Sequence, residues 1–373
     1  MHRSFTRGLT LFTLASSLIA PATSPSAADD RGRVRKDQWH LAFLHVEKAQ
    51  QINDGVGVVV AVPDTGVYPH PDLKDNLLPG TDVSGSGDGR DDGNGHGTSM
   101  AGLIAAHGDG KGLGALGIAP KAKVLPIRSR LIDGEGDADE LAASIEWAVT
   151  HQADVISVSA VAGASVRLQR AIRSALAANV VVVASAGNRP EDVLVGYPAS
   201  EPGVIAVGGV DRHGLHAQIS VTGPEIDVVA PAVDIYSTSY GGKYSKGTGT
   251  SGATAIVAGA AALIRSKYPD LPAQEVAHRL TATAIDKGPP GRDDEYGYGV
   301  IDLVAALTAD VPPLGFESPS VTAPASTAAR GNRDGNSTAR GLATLGVLLA
   351  AGGGYLLWRR RRRAEDPPPR ISR

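Results

Sequence analysis

The chain has 373 residues, 20% of them charged and 42% hydrophobic, with a net charge of −3. That balance suits a folded core, one large α/β domain or two smaller ones, and excludes a disordered chain, while the small net charge points to no nucleic-acid partner. The absence of cysteine removes disulfides, zinc–thiolate sites and thiol catalysis, and the 46 glycines make close backbone packing the main way of building a core.

Residues 1–28 read as a signal peptide: His2, Arg3 and Arg7 open it, Leu9 to Ala20 are apolar, and Ser26-Ala27-Ala28 make a small-residue cleavage site. An ordinary N-terminal helix fits less well, because Pro21 and Pro25 would stop it. Residues 29–37 form a short extension. From 38 to 310 short apolar runs alternate with helical patterns. Residues 57–62 (GVVVAV), 124–127, 155–158, 180–184 and 204–207 read as strands, and 97–106, 139–150, 166–178 and 254–267 as helices. Continuous apolar strands with amphipathic helices between them predict a doubly wound, mostly parallel sheet with helices on both faces.

Residues 311–340, rich in Pro, Ser, Thr, Ala and Gly, are a linker. Gly341 to Trp358 carries no charge and as a helix rises about 27 Å, enough to cross a bilayer. Arg359 to Arg363 follow at once and open a basic tail that runs to residue 373. Such a block stays on the cytoplasmic side and leaves residues 38–310 outside. A buried core helix is the competing reading, weakened by the linker that sets the segment apart, and no LPxTG-like motif precedes it.

Three motifs stand at strand ends or helix starts of the predicted sheet, where active residues gather. Asp64 follows an apolar strand, His96 sits between Gly95 and Gly97 at a helix start, and Ser251 opens an Ala-rich helix. Taken alone, Asp64 reads equally as a cap or turn residue. The order Asp, His, Ser is more telling. A serine hydroxyl becomes a nucleophile when a base takes its proton, a neutral imidazole does so near pH 7, and a carboxylate fixes the imidazole's tautomer. Asn188, directly after a strand, supplies a side-chain N–H beside the Ser251 backbone N–H for the oxyanion of acyl transfer; its bland reading is a turn residue. None of this needs a cofactor. Asp82 to Asp92 offers carboxylates for a structural calcium, but its spacing matches no defined loop and a solvated loop is the simpler reading. His40, His45, His70, His107, His151, His213, His216 and His278 show no metal-ligand spacing, and Trp39 and Trp147 read as core.

The blocks VAVPDTGV (60–67), HPDL (70–73), DGNGHGTSMAG (92–102), ASAGN (184–188), GTGTSGATAIVAGAAALI (247–264) and GYGVIDLVAAL (297–307) resemble the signatures of the subtilases, over about residues 38–310. The resemblance implies a subtilisin-like fold and a serine endopeptidase with Asp64, His96 and Ser251 as its triad and Asn188 in the oxyanion hole. Within that family the architecture is most similar to the mycosins of actinobacterial type VII secretion: signal peptide, an early DQWHL segment (37–41), protease, Pro-rich linker, helix and basic tail. The short 29–37 stretch leaves no room for an inhibitory pro-domain and fits that pattern. A related actinobacterial subgroup without a part in secretion fits as well.

Three departures stand out. Gly252 and Ala255 occupy positions where subtilases carry a larger apolar residue and a proline. The substrate-edge strand reads Ser159-Ala160-Val161 in place of Ser-Leu-Gly, so that Val161 narrows the cleft for the residue before the scissile bond. Mycosins commonly have cysteines and this chain has none. The partners implied are protein substrates, the membrane through the C-terminal helix, and a type VII secretion complex. A weakly active or inactive protease-like subunit of such a complex, and a general cell-surface degradative protease, are the competing functions.

Overall fold

A computed structural model describes residues 27–132 and 135–315. Strands β1 (Val59–Asp64), β2 (Thr81–Asp82), β3 (Lys123–Arg128), β4 (Leu131–Ile132), β5 (Glu135–Gly136), β6 (Val155–Val158), β7 (Val161–Ala162), β8 (Val181–Ser185), β9 (Ile205–Val210), β10 (Val228–Pro231), β11 (Ile235–Thr238) and β12 (Tyr244–Gly247) alternate with helices. The helices are α1 (Ala27–Asp37), α2 (Trp39–Phe43), α3 (Val46–Ile52), α4 (His96–Ala105), α5 (Ala138–Thr150), α6 (Val166–Ala177), α7 (Thr250–Lys267), α8 (Ala273–Ala282) and α9 (Leu303–Thr308).

Seven strands pair in parallel in the order β10-β9-β8-β6-β1-β3-β2. The β-branched runs read from the sequence are its central members, and they are buried on both faces because helices cover both. One layer is α5 packed on α6, the other α4 packed on α7. The apolar stripes of α5 and α6 follow the helical period. α7 is different: Ala253 to Ile264 is buried all round, and α7 touches β6, β8, β9 and β10. A helix so enclosed must be thin, which is why it is built of Ala and Gly. Where α7 crosses the Ile118 loop, a methyl on Gly259 would lie 2.7 Å from Ile118 Cβ. On α4, one on Gly102 would lie 2.1 Å from Thr238 Oγ1.

The structure adds elements the sequence pattern does not announce. β10 closes one sheet edge, β11 and β12 form an antiparallel hairpin, and α7 starts at Thr250, ahead of the predicted Thr254. The 29–37 stretch is no loose leader. It lies in α1, with Val34 buried, Arg31 Nη2 donating to Asp72 Oδ1 at 2.8 Å and Arg35 Nε to the Gly114 carbonyl at 2.9 Å. Gln38 and Trp39 continue the attachment through the Leu116, Tyr236 and Val233 carbonyls. Among the described residues no helix is long and apolar enough to cross a membrane. The predicted span 341–358, the basic tail, residues 1–26 of the signal peptide and most of the linker lie outside the described residues.

Candidate active site

Asp64, Ser159 and Asn188 lie at or just beyond the carboxyl ends of β1, β6 and β8, and His96 and Ser251 in the first turns of α4 and α7. Asp64 is the last residue of β1 and fully buried; His96 is the first residue of α4, its side chain 31% exposed. His96 Nδ1 lies 2.8 Å from Asp64 Oδ1 and 3.0 Å from Oδ2. A carboxylate there accepts a hydrogen bond only from Nδ1–H, which leaves Nε2 as the acceptor of the neutral ring. Burial opposes charging the ring, but the Asp64 carboxylate, by charge and hydrogen bond, and Asp92 behind it outweigh burial and raise the His96 pKa above its ordinary value. The glycine after His96 has a steric reason: a methyl on Gly97 would lie 2.1 Å from the Gly66 carbonyl, so α4 and the turn after β1 can approach only without it.

Asp92, not singled out by the sequence reading, holds this approach in place. It is buried and accepts five hydrogen bonds. Thr65 Oγ1 (2.9 Å), Asn94 N (3.0 Å) and Gly95 N (2.8 Å) reach Oδ1; Thr98 N (3.0 Å) and Thr98 Oγ1 (2.5 Å) reach Oδ2. Thr65 Oγ1 in turn accepts from the Gly97 N–H at 3.0 Å. One carboxylate thus ties the turn after Asp64 to the helix start that carries His96. A sequence signal existed, an Asp four places before His96 within the DGNGHGT block, but the donor that ties it to the turn after Asp64, Thr65, lies 27 residues earlier.

Ser251 is the second residue of α7, near the positive end of the helix dipole. Its Oγ donates to the Ser159 carbonyl at 3.1 Å, and Ser159 Oγ returns a bond to the Ser251 carbonyl at 3.2 Å. The Asn188 amide is oriented by its neighbours. Its Oδ1 accepts from Thr250 N at 2.9 Å and Thr250 Oγ1 at 3.2 Å, so the Nδ2 end is left as the donor. Its backbone N–H is held by Asp192 Oδ2 at 2.8 Å. Ala160 is buried, and Val161 lies half-buried where β7 runs past Tyr197, with Ala162 N donating to the Tyr197 carbonyl at 2.8 Å. These groups are the types acyl chemistry needs: a hydroxyl at a helix start, an imidazole paired with a carboxylate, and an amide whose oxygen is already engaged.

A subtilase family profile matches residues 55–299. The chain belongs to the subtilase family. As a subtilase it is 40% identical to Subtilisin DY of Bacillus licheniformis over 274 residues, 72% of this chain and 97% of that one. It is 37% identical to a thermostable alkaline protease of Halalkalibacterium halodurans over 268 residues, 70% and 71% of the two chains. Its structural neighbours include MycP1 from Mycobacterium smegmatis, with a TM-score of 0.66, 30% identity and 74% of this chain and 85% of that one covered. MycP3 protease from the type VII (ESX-3) secretion system gives 0.64, 34% identity and coverage of 73% and 88%. The protein is therefore a subtilisin-like serine protease, structurally close to the mycosins.

The residues set aside in the sequence have structural places. His40 is fully buried, and burial alone pushes its pKa down to about 3, so it is neutral. His70 is buried with Nδ1 accepting from Asp72 N at 3.1 Å. Trp39 and Trp147 pack partly buried against the core. In the Asp82–Asp92 stretch the carboxylates cap turns or pair: Asp82 accepts from Ser84, and Asp91 Oδ2 pairs with Arg128 at 2.7 Å. Among the described residues no cluster of three or more His, Asp or Glu side chains is placed to hold a metal.

Proposed function

We propose that this subtilase is a serine endopeptidase that cleaves proteins through an acyl-enzyme, with Asp64, His96 and Ser251 as the catalytic residues and Asn188 as an oxyanion donor. The observation that carries the reading is the Asp64–His96 pair at 2.8 Å, and a serine in the first turn of α7 supports it. Ser251 Oγ turns from the Ser159 carbonyl to His96 Nε2, gives up its proton there and attacks the substrate carbonyl carbon. The electron pair of the C=O bond moves to oxygen, where Asn188 Nδ2 and the Ser251 N–H receive it. Asp64 stabilises the imidazolium, which then protonates the leaving amine as the C–N bond breaks. Water, deprotonated by the same imidazole, releases the acyl group and restores Ser251.

The setting we propose is the outer membrane face, with the chain anchored by 341–358 and working on exported proteins in a mycosin-like, secretion-associated role. The uncharged segment, the five arginines after it and the likeness to MycP1 and MycP3 support this. Treating the full chain with a fluorophosphonate probe, beside Ser251→Ala, tests the catalytic assignment. Labelling of the wild type and none of the variant is expected, with a fall in kcat near 10⁶, the size such a loss has in a subtilisin. Absence of labelling in folded wild-type protein refutes the assignment and favours a protease-like subunit, in which Ser251 keeps its bond to Ser159.

A further inference from the structure

Val161 stands two residues beyond Ser159, whose carbonyl takes the Ser251 hydroxyl. The strand it belongs to runs alongside the segment Val195–Tyr197, pinned by the Ala162–Tyr197 bond of 2.8 Å. That second segment is tied to the Asn188 loop, because Gly196 N donates to the Ala186 carbonyl at 2.9 Å. Segments 159–162 and 186–197 are therefore linked side by side next to Ser251 and Asn188. A substrate acylating Ser251 with its oxygen toward Asn188 brings the residue before the scissile bond against these two segments.

One side chain spans the two segments. A methyl built on Gly196 would lie 2.6 Å from Val161 Cγ1, 2.7 Å from Cγ2 and 3.2 Å from Cβ. Both methyls of Val161 thus rest on the Gly196 backbone. Val161 is only half-buried, so part of its side chain stays open to solvent. Glycine at position 196 is what admits this contact.

We propose that Val161 fills the pocket for the residue before the scissile bond and confines cleavage to bonds that follow glycine, alanine or serine. This rests on the endopeptidase reading above. A large aromatic or branched side chain meets the Val161 methyls before its carbonyl carbon reaches Ser251 Oγ. Since the conflict lies with the acylated geometry, it acts on kcat/KM. Each displaced methyl group in such a pocket is worth about 10- to 200-fold.

The test uses the full chain and succinyl-Ala-Ala-Pro-Xaa p-nitroanilides with Xaa as Ala, Leu or Phe, for wild type, Val161→Ala and Val161→Gly. The readout is the Phe-to-Ala ratio of kcat/KM, which is independent of the fraction of protein that is folded. The wild type is expected to favour Ala by about tenfold or more, and the ratio to rise stepwise by at least about tenfold from Val to Gly at position 161. Equal turnover of the Ala and Phe substrates by wild type, or an unchanged ratio in Val161→Gly, overturns the assignment while leaving the endopeptidase reading intact. Failure to cleave all three substrates, without fluorophosphonate labelling, overturns both.

Discussion

Replacing Asp92 by Asn tests whether a charge holds the loop in front of His96. The carboxylate receives three donors on Oδ1 and two on Oδ2. An amide keeps one acceptor end and turns an NH2 group toward donors at the other. At least two hydrogen bonds to a buried ionised group are lost, each worth about 1.5–3 kcal/mol. Even after relaxation the loss should be about 3 kcal/mol or more, a fall in Tm of roughly 6 °C or more at about 2 °C per kcal/mol for a domain of this size. Asp92 acts on catalysis through His96, as a positioning residue, and its charge is one of those that raise the His96 pKa. The wild type therefore needs a pH above the ordinary histidine value of about 6.5 to free its base, and the acid limb of kcat/KM lies above that value. In Asp92→Asn the limb moves to lower pH and kcat falls. A purely structural role would lower Tm and the active fraction without moving the limb. The assay is thermal unfolding beside a kcat/KM profile on one peptide substrate. Unchanged Tm, kcat and acid limb would refute the reasoning; a lowered Tm with a fixed limb would confine Asp92 to stability.

Two further outcomes follow from the same geometry. Asn188→Gly removes the N–H donor, and kcat should drop by about 10²–10³ with KM little changed, the size known from a subtilisin; steady-state kinetics that leave kcat within threefold or so of wild type would remove Asn188 from the oxyanion role. Tyr244→Phe takes the 2.7 Å donor from buried Asp72 and leaves Arg31 and the Ala115 N–H. Denaturant unfolding should register a loss of about 1–2 kcal/mol, and no loss would show that water makes good the missing donor.

The parts of the fold legible in the sequence were those whose information is local. Valine runs at β1, β6, β8 and β9 could be nothing but buried strands, and Asp64, His96 and Ser251 each stood in a motif carrying its own turn or helix start. α1 was opaque, because AADDRGRVRKD has one apolar anchor and no helical stripe; two arginines reaching Asp72 and Gly114 hold it instead. The β11–β12 hairpin was hidden because its outer strand, Tyr-Ser-Lys-Gly, is polar and pairs on one side only. In the site, sequence named Asn188 but not which way its amide faces, a choice made by Thr250 from 62 residues away. It named a narrowing at Val161 but not the surface it closes against, since Gly196 lies on a separate segment. Asp92 sat inside a quoted motif, yet its worth depends on Thr65, 27 residues earlier.

The enclosure of α7 sets the order in which this molecule becomes what it is. Asp64 and His96 are 32 residues apart and come together once β1 and α4 meet. Ser251 and Ser159 are separated by 92, and the helix that carries Ser251 packs on β6, β8, β9 and β10, all of them earlier in the chain. During synthesis the paired Asp64 and His96 therefore leave the ribosome well before the nucleophile does, and a chain that ends short of α7 has no Ser251 with which to cut its neighbours.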